Sequence, residues 1–348
     1  MPRFHALEVT EIRRETDSAV VLSLTPQSGD FRFEPGQYLT FRKEFGGVEL
    51  RRCYSVCTTP EDGLKVGIKA VDGGVFSSFA NSELQVGDCL DAMPPSGSFG
   101  AKISVDNLGF AGGSGITPIL SIIKSTLQAD ENARFTLVYA NRSVASTMFR
   151  DELQDLKDLY MDRFHVVHIL EDNAQDIELF SGRLDAHKLD GLFKGWVDIG
   201  AVDQAFICGP APMMEVVKTG LLKQLDASQI SIEQFLSDQP GRAAQKAAPL
   251  ASEAPRGALQ ATVLLDGVSH ELTLDAETSV LQAALDAKLD APYACRAGVC
   301  STCKARLVEG AVEMRANQAL EDYEVEQGYI LTCQSHAKTK KIVVDYDG

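Results

Sequence analysis

Short apolar runs separated by turn residues fill the first third of the chain. The stretches "AVVLSLTP" (19–26), "QYLTFR" (37–42) and "GLKVGIKAV" (63–71) are rich in Val, Leu, Ile and Phe, and "EPGQ" and "PPSGSFG" punctuate them. Many short strands bounded by Gly and Pro clusters predict an antiparallel β-barrel over residues 1–103. Near Asp106 the pattern changes. "LGFAGGSGITPILSIIKSTLQ" reads as strand, glycine turn and helix. "RFTLVYANRS", "RFHVVHIL" and "QAFICGP" read as strands, and "MFRDELQDLKDLY" and "APMMEVVKTGLLKQL" as helices. Such alternation predicts a parallel α/β domain over 104–236.

Residues 237–257, "SDQPGRAAQKAAPLASEAPRG", are rich in Ala, Pro and Ser and have little to bury, which predicts a linker. Beyond it, "ATVLLDGVSHELTL" reads as a hairpin and "SVLQAALDAKL" as a helix, opening a third domain over 258–348. No internal repeat is visible.

That last segment holds "CRAGVCSTC", with Cys295, Cys300 and Cys303, and then Cys333 in "GYILTCQSH". The spacing C-x4-C-x2-C with a distant fourth cysteine is the plant-type pattern for a [2Fe–2S] cluster. Four thiolates must surround two irons, and the small residues Ala297, Gly298, Ser301 and Thr302 let backbone N–H groups approach the sulfurs. Structural zinc is the alternative; it usually needs two separated close pairs, and only one is present. A Rieske centre needs paired histidines, which His270 and His336 do not offer. A disulfide scaffold does not suit eight cysteines spread over 348 residues. Cys53, Cys57 and Cys89 lie in apolar β-runs and are expected to be buried thiols.

The formal net charge of −16 repels nucleic acid and suits a partner with a basic face. The acids Glu321, Asp322, Glu324 and Glu326, between the third and fourth cluster cysteines, read either as a solvated face or as a docking surface for such a partner. The N-terminal stretch "MPRFHALEVTEIRRETD" lacks an apolar core segment, and no run approaches 18 apolar residues. The expected location is the cytoplasm, without a membrane span.

Four further motifs occur in order: "RCYS" (Arg52, Cys53, Tyr54, Ser55), "GVFS" (Gly74, Val75, Phe76, Ser77), "GGSGITP" (112–118) and "CGP" (Cys208, Gly209, Pro210). With the cysteines, they resemble the ferredoxin–NADP reductase superfamily over essentially the whole chain. The resemblance is to members with a C-terminal ferredoxin domain, such as the reductase subunits of phenylacetyl-CoA epoxygenases. It implies an FAD-binding barrel, a nucleotide-binding α/β domain and a β-grasp ferredoxin domain. In the family, the arginine of the first motif pairs with flavin phosphate, the tyrosine packs on the isoalloxazine and the hydroxyl lies near flavin N5. Those roles fall on Arg52, Tyr54 and Ser55. The second motif opens a helix beneath the flavin pyrophosphate, where N–H groups bind anions. The third brings Gly113 and Thr117 to the nicotinamide nucleotide, with Thr117 pointing into the cleft. The fourth places Cys208, Gly209 and Pro210 beside nicotinamide and flavin. Glu233 and Phe235 in "IEQF" fall where the family sets an acid or an aromatic against the flavin. Ser55, Cys208 and Glu233 are the expected catalytic group.

After "LVYA" no acid is present to read an adenosine ribose 2′-OH. Arg142, Ser143 and Arg150 are expected instead to hold the 2′-phosphate of NADPH, with NADH less favoured. The expected function is transfer of electrons from NADPH through FAD and the cluster to an oxygenase, with the di-iron phenylacetyl-CoA 1,2-epoxidase first among partners. A Rieske-type or other hydroxylase is the runner-up. A redox sensor or scaffold without turnover is the reading from another class.

Overall fold

The computed structural model describes residues 4–172, 177–235, 259–320 and 322–348. The linker expected over 237–257 and Glu321 lie outside these residues. Contacts divide the chain into two compact units. One holds 259–348 with Phe4 and Glu49–Cys53; the other holds His5–Val48 and 54–235.

The barrel strands are β1 (His5–Thr16), β2 (Ala19–Pro26), β3 (Tyr38–Phe45), β4 (Val48–Ser55), β5 (Leu64–Lys69) and β6 (Cys89–Ala92), with helix α1 (Val75–Ser82) after β5. They form one sheet in the order β4-β3-β6-β1-β2-β5. Val56, one residue past β4, bridges to Val66 of β5, so the two outer strands meet and the sheet closes. Alternate residues such as Leu7, Val9, Leu22, Leu39 and Phe41 point inward and are fully buried. Register shifts in β1 at Val9/Glu11 and Arg14/Thr16 mark bulges that bend it around the core.

The second sheet contains β7 (Asp106–Gly112), β8 (Arg134–Asn141), β9 (Phe164–Leu170), β10 (Gln204–Cys208) and β11 (Ile230–Glu233), all parallel, in the order β11-β10-β7-β8-β9. Helices α2 (Ile116–Ala129) and α3 (Arg150–Leu159) cover one face, and α4 (Ala186–Gly195) and α5 (Ala211–Leu221) the other. Burial on both faces explains the unbroken apolar runs of β7 and β10. Ala19, Val21, Cys57 and Phe99 of the N-terminal segment share one core with α2, so barrel and parallel sheet are packed together.

The last unit is a mixed sheet, β13-β12-β18-β14-β16, made of β12 (Leu259–Leu265), β13 (Val268–Leu274), β14 (Lys304–Glu309), β16 (Tyr329–Leu331) and β18 (Lys341–Asp345). A small pair, β15 (Val312–Met314) and β17 (Ser335–Ala337), lies beside it. Helix α6 (Val280–Asp286) starts at Ser279, whose hydroxyl accepts the Gln282 N–H at 3.2 Å, and buries Val280, Leu281 and Ala284 on the sheet. A short helix α7 (Asp322–Glu326) precedes β16.

The "RCYS" motif lies within β4. One sequence expectation is corrected here. Among the three barrel cysteines only Cys57 is buried; Cys53 is half-buried and Cys89 is exposed, because β6 turns it outward toward the Gln27 amide at 3.4 Å.

Phe206 of β10 stacks on Phe135 at 6.3 Å and meets Phe99 edge-on at 5.6 Å, joining sheet and barrel segment in one core. Phe206→Ala is expected to cost about 3–5 kcal/mol, read as a lower urea midpoint at constant slope.

Candidate active site and cluster centre

The "RCYS" side chains alternate about β4. Tyr54 packs on Phe76 at 5.5 Å and on Phe41 at 6.1 Å. This aromatic wall fixes the tyrosine ring. Arg52 donates from Nη1 to the Arg51 carbonyl at 2.8 Å. Gly74 caps α1 without a side-chain hydrogen bond, which leaves the first N–H groups of the helix for an anion. A Cβ on Gly74 would sit 2.4 Å from Ser77 Oγ, so glycine is required there. The Ser77 hydroxyl closes the turn onto Gly74 O and Val71 N–H, both at 3.3 Å. Phe76 is fully buried in the barrel core, so its side chain belongs to the core and only its backbone faces the turn.

Two glycine turns meet at the carboxyl ends of β7 and β10. A Cβ on Gly115 would fall 2.1 Å from the Cys208 carbonyl oxygen, one on Gly112 2.5 Å from Pro210 Cδ, and one on Gly209 2.9 Å from Gly112 Cα. Gly113 adopts φ +54. In the strand order, β8 lies on one side of β7 and β10 on the other, so this is the switch point where open α/β sheets bind ligands. Thr117 does not point into the cleft. It is 1% exposed, and its hydroxyl donates back to the Ser114 carbonyl at 3.0 Å, as a threonine in a first helical turn readily does.

Lys69, at the end of β5, was not singled out by sequence, where no spacing marks it. Its Nζ lies 3.7 Å from the point a Gly113 Cβ would occupy. Burial and then the nearby Arg142 hold its pKa below the usual lysine range. Among the described residues no carboxylate pairs with Lys69, Arg142 or Arg150. Arg142 and Arg150 are exposed. Arg150 is felt by His168 on β9, whose pKa is lowered by burial first and by Arg150 second. The Ser143 side chain closes a capping box with Ser146, so its hydroxyl is engaged within its own loop.

Ser55, Cys208 and Glu233 come together. The Ser55 hydroxyl donates to Glu233 Oε1 at 2.8 Å across 178 residues of chain. Burial pushes the Glu233 carboxyl up to about 7, against the opposing bond from Ser55. The Cys208 thiol is fully buried and held well above its ordinary pKa, by burial and then by Glu233, so it stays protonated. Phe235 is half-buried against the core that contains Cys208.

The four cluster cysteines converge in the last unit as two pairs. Cys295 and Cys300 are within hydrogen-bond reach of each other, as are Cys303 and Cys333. Among the described residues no three His, Cys, Asp or Glu side chains converge on a single metal ion. Two thiol pairs suit two irons, one pair to each, better than one tetrahedral zinc. The Ala297 N–H points at Cys295 Sγ at 3.4 Å, and the Gln334 amide at Cys333 Sγ at 3.7 Å. Gly298 has φ +78, and a Cβ there would lie 2.6 Å from the Ala316 carbonyl oxygen, so no other residue fits the loop. The expected acidic surface is reduced: Glu324 turns onto Lys304 at 3.1 Å with its side chain 12% exposed, which leaves Asp322 and Glu326 exposed.

Comparison with known proteins agrees with this geometry. Family models match in chain order: an oxidoreductase FAD-binding domain over residues 6–100, an oxidoreductase NAD-binding domain over 110–219 and a 2Fe-2S iron-sulfur cluster binding domain over 263–338. The chain is 40% identical over 356 residues to one of the subunits of 1,2-phenylacetyl-CoA epoxidase from Escherichia coli K12, covering 100% of this chain and 99% of the relative. It is 36% identical to the ferredoxin reductase component of 3-ketosteroid-9-alpha-monooxygenase from Mycobacterium tuberculosis, covering 98% and 95%. Phthalate dioxygenase reductase shares the fold over 98% of both chains, with a TM-score of 0.60 at 23% identity. The order of three domains and the full-length identity place the chain in the ferredoxin–NADP reductase superfamily, among the flavin- and [2Fe–2S]-containing reductase components of oxygenase systems.

Proposed function

We propose that this reductase draws its electrons from NADPH and delivers them to the oxygenase component of a phenylacetyl-CoA epoxidase. The full-length likeness to a component of such an epoxidase supports the partner. Among the described residues no helix is long and apolar enough to cross a membrane. Four cysteines that hold a cluster must stay unoxidised to load it, which suits the reducing cytoplasm, where we place its work. The functional modules are assigned as 1–103 for FAD, 104–236 for the nucleotide and 258–348 for the cluster, joined by 237–257.

The observation that carries the reading is the meeting of the Ser55–Glu233 pair and Cys208 beside two interlocked glycine turns. FAD, when bound, accepts a hydride from the nicotinamide and passes single electrons to the [2Fe–2S] cluster. The chain supplies the rest. Arg52 and the N–H groups at Val75, Phe76 and Ser77 bind the flavin's phosphates, Gly74 turns the chain into the helix with its own N–H on the Val71 carbonyl, and Tyr54 supports the ring. Gly113, Gly209 and Pro210 admit the nucleotide close to the backbone, and the neutral Cys208 thiol adds no charge beside it. Phe235 packs at the edge of the crevice, where it orders entry of the nicotinamide. Glu233, poised near neutrality, holds a proton that Ser55 can relay toward the flavin. Lys69, Arg142 and Arg150 give the nucleotide's phosphates three cations with no competing carboxylate. Ser143 shapes their loop, and Thr117 acts by packing. Cys295, Cys300, Cys303 and Cys333 hold the cluster, with Cys53 in the flavin-binding strand.

Three measurements test this reading. Arg142→Ala should raise the KM for NADPH about tenfold, the loss of one charge-assisted contact, and leave that for NADH nearly unchanged. An equal effect on both shows that Arg142 does not read the 2′-phosphate. Cys300→Ser should remove the visible spectrum of the cluster while FAD remains bound; a wild-type protein carrying zinc without iron contradicts the assignment. The pH test concerns Glu233. Its folded pKa of about 7 lies above the ordinary 4.5, so the folded state keeps a proton that the unfolded chain releases across that window. The corresponding stability is complete below the lower value and is lost as pH rises through about 7. The unfolding midpoint should therefore fall over this range in the wild type and stay flatter in Glu233→Gln; parallel profiles contradict it.

A further inference from the structure

One buried acid of the barrel has no part in the chemistry above. Glu15, near the end of β1, has a side chain only 6% exposed, and its Oε1 accepts the backbone N–H of Phe149 at 2.6 Å. Phe149 belongs to the loop after β8, 134 residues away in sequence. It stands at φ 57 and ψ 27, the left-handed region that bulky side chains avoid. Such a conformation persists only where the surroundings over-determine it.

The surroundings here are specific. The barrel grips Phe149 twice. Glu15 takes its N–H, and Gly67 of β5 leaves the space its ring enters: a Cβ on Gly67 would lie 3.2 Å from Phe149 Cζ and 3.3 Å from Met148 Cε. On the other side the Met148 carbonyl lies 3.3 Å from the Tyr139 hydroxyl, which also lies 3.0 Å from the Gly113 carbonyl. Tyr139 is fully buried, and burial raises its pKa, so the shared proton stays in place. Residues 148–149 are thus fastened to the barrel through one N–H and to the nucleotide turn through one carbonyl. Arg13 is ion-paired with Glu15 and lies 3.9 Å from Glu152 in the first turn of α3.

The residue that follows Phe149 is Arg150, the first of α3. The dihedral angles of Phe149 therefore set where Arg150 projects. The same loop begins at Arg142 and is closed by Ser143, Ser146 and Thr147, whose hydroxyl donates to the Ser143 carbonyl at 3.0 Å. We infer that Glu15 is a positioning residue for nucleotide binding: by holding Phe149 left-handed it fixes the 142–150 loop where the adenosine end of the nucleotide docks. The inference rests on the assignment of Arg142 and Arg150 to the nucleotide. The contact joins the barrel to the loop after β8, and Glu15 acts through Phe149.

The test uses the full-length protein loaded with FAD and cluster, assayed with ferricyanide as acceptor on both NADPH and NADH. Glu15→Ala should raise the KM of the preferred nucleotide about tenfold while kcat stays within about twofold, a binding defect without a chemical one. The dissociation constant of the oxidised nucleotide, from flavin difference spectra, should rise in parallel. Glu15→Gln keeps an acceptor oxygen and should stay within about twofold of the wild type in both readouts. If Glu15→Ala does not retain FAD, Glu15→Asp, with the same charge on a shorter side chain, is read in the same way. A lower melting temperature with unchanged KM overturns the inference, because Glu15 would then only stabilise the fold. A fall in kcat at constant KM overturns it too. A wild type that prefers NADH refutes the 2′-phosphate assignment, and the effect of Glu15 on KM is still read on NADH.

Discussion

The close approach of two backbones at Gly115 and Cys208 is the constraint on which the site depends. A single methyl group on Gly115 would overlap the Cys208 carbonyl oxygen, so the turn after β7 and the strand end of β10 can meet only through glycine. Gly112 and Gly209 face the same restriction from Pro210 and from each other. The contact brings the start of α2, the Cys208 thiol and the end of β11 to one point of the parallel sheet. Without it the crevice at the switch point would be filled by its own side chains, and a nucleotide could not lie against the backbone.

From that point the barrel enters the site by two routes. Ser55 ends β4 and reaches Glu233 at the end of β11, so the hydrogen bond ties the barrel to the parallel sheet. The shared core of Val21, Cys57 and Phe99 with Ile119 and Phe206 makes this tie rigid. A carboxyl raised to about 7 by burial is costly to ionise, and a serine hydroxyl beside it offsets part of that cost. The same arrangement suits a group that must hold and release a proton near neutral pH. Lys69 and Arg142 add a second asymmetry: burial and then the nearby, exposed Arg142 lower the Lys69 pKa, an arrangement that suits a visiting anion.

Much of this was legible in the sequence where a local pattern carries the physics. The glycine turns, the alternation of strands and helices and the cysteine spacing each encode geometry within a few residues. What was not legible depends on distant partners. Thr117 sits in the right motif, but the first turn of α2 and the barrel residue Gly67 bury it. Phe76 lies in the flavin turn by sequence and in the barrel core by packing. Cys89 looks apolar in its strand, yet β6 faces it outward. Lys69 carries no motif, and its meaning comes from the Gly113 turn it approaches. Glu15 and Phe149 are the extreme case, because neither their spacing nor their neighbours announce a left-handed aromatic held by an acid from another sheet.

On this reading the nucleotide reduces the flavin where the turns at Gly115 and Cys208 interlock. Anaerobic stopped-flow mixing of the FAD- and cluster-loaded Gly115→Ala protein with NADPH tests it most directly, with FAD and cluster content confirmed from the spectrum beforehand. Flavin bleaching is expected to become slower by at least about a hundredfold, since displacement of about 1 Å at a hydride-transfer site is that damaging, while dithionite still reduces both centres. Bleaching at the wild-type rate in a fully loaded variant would contradict it.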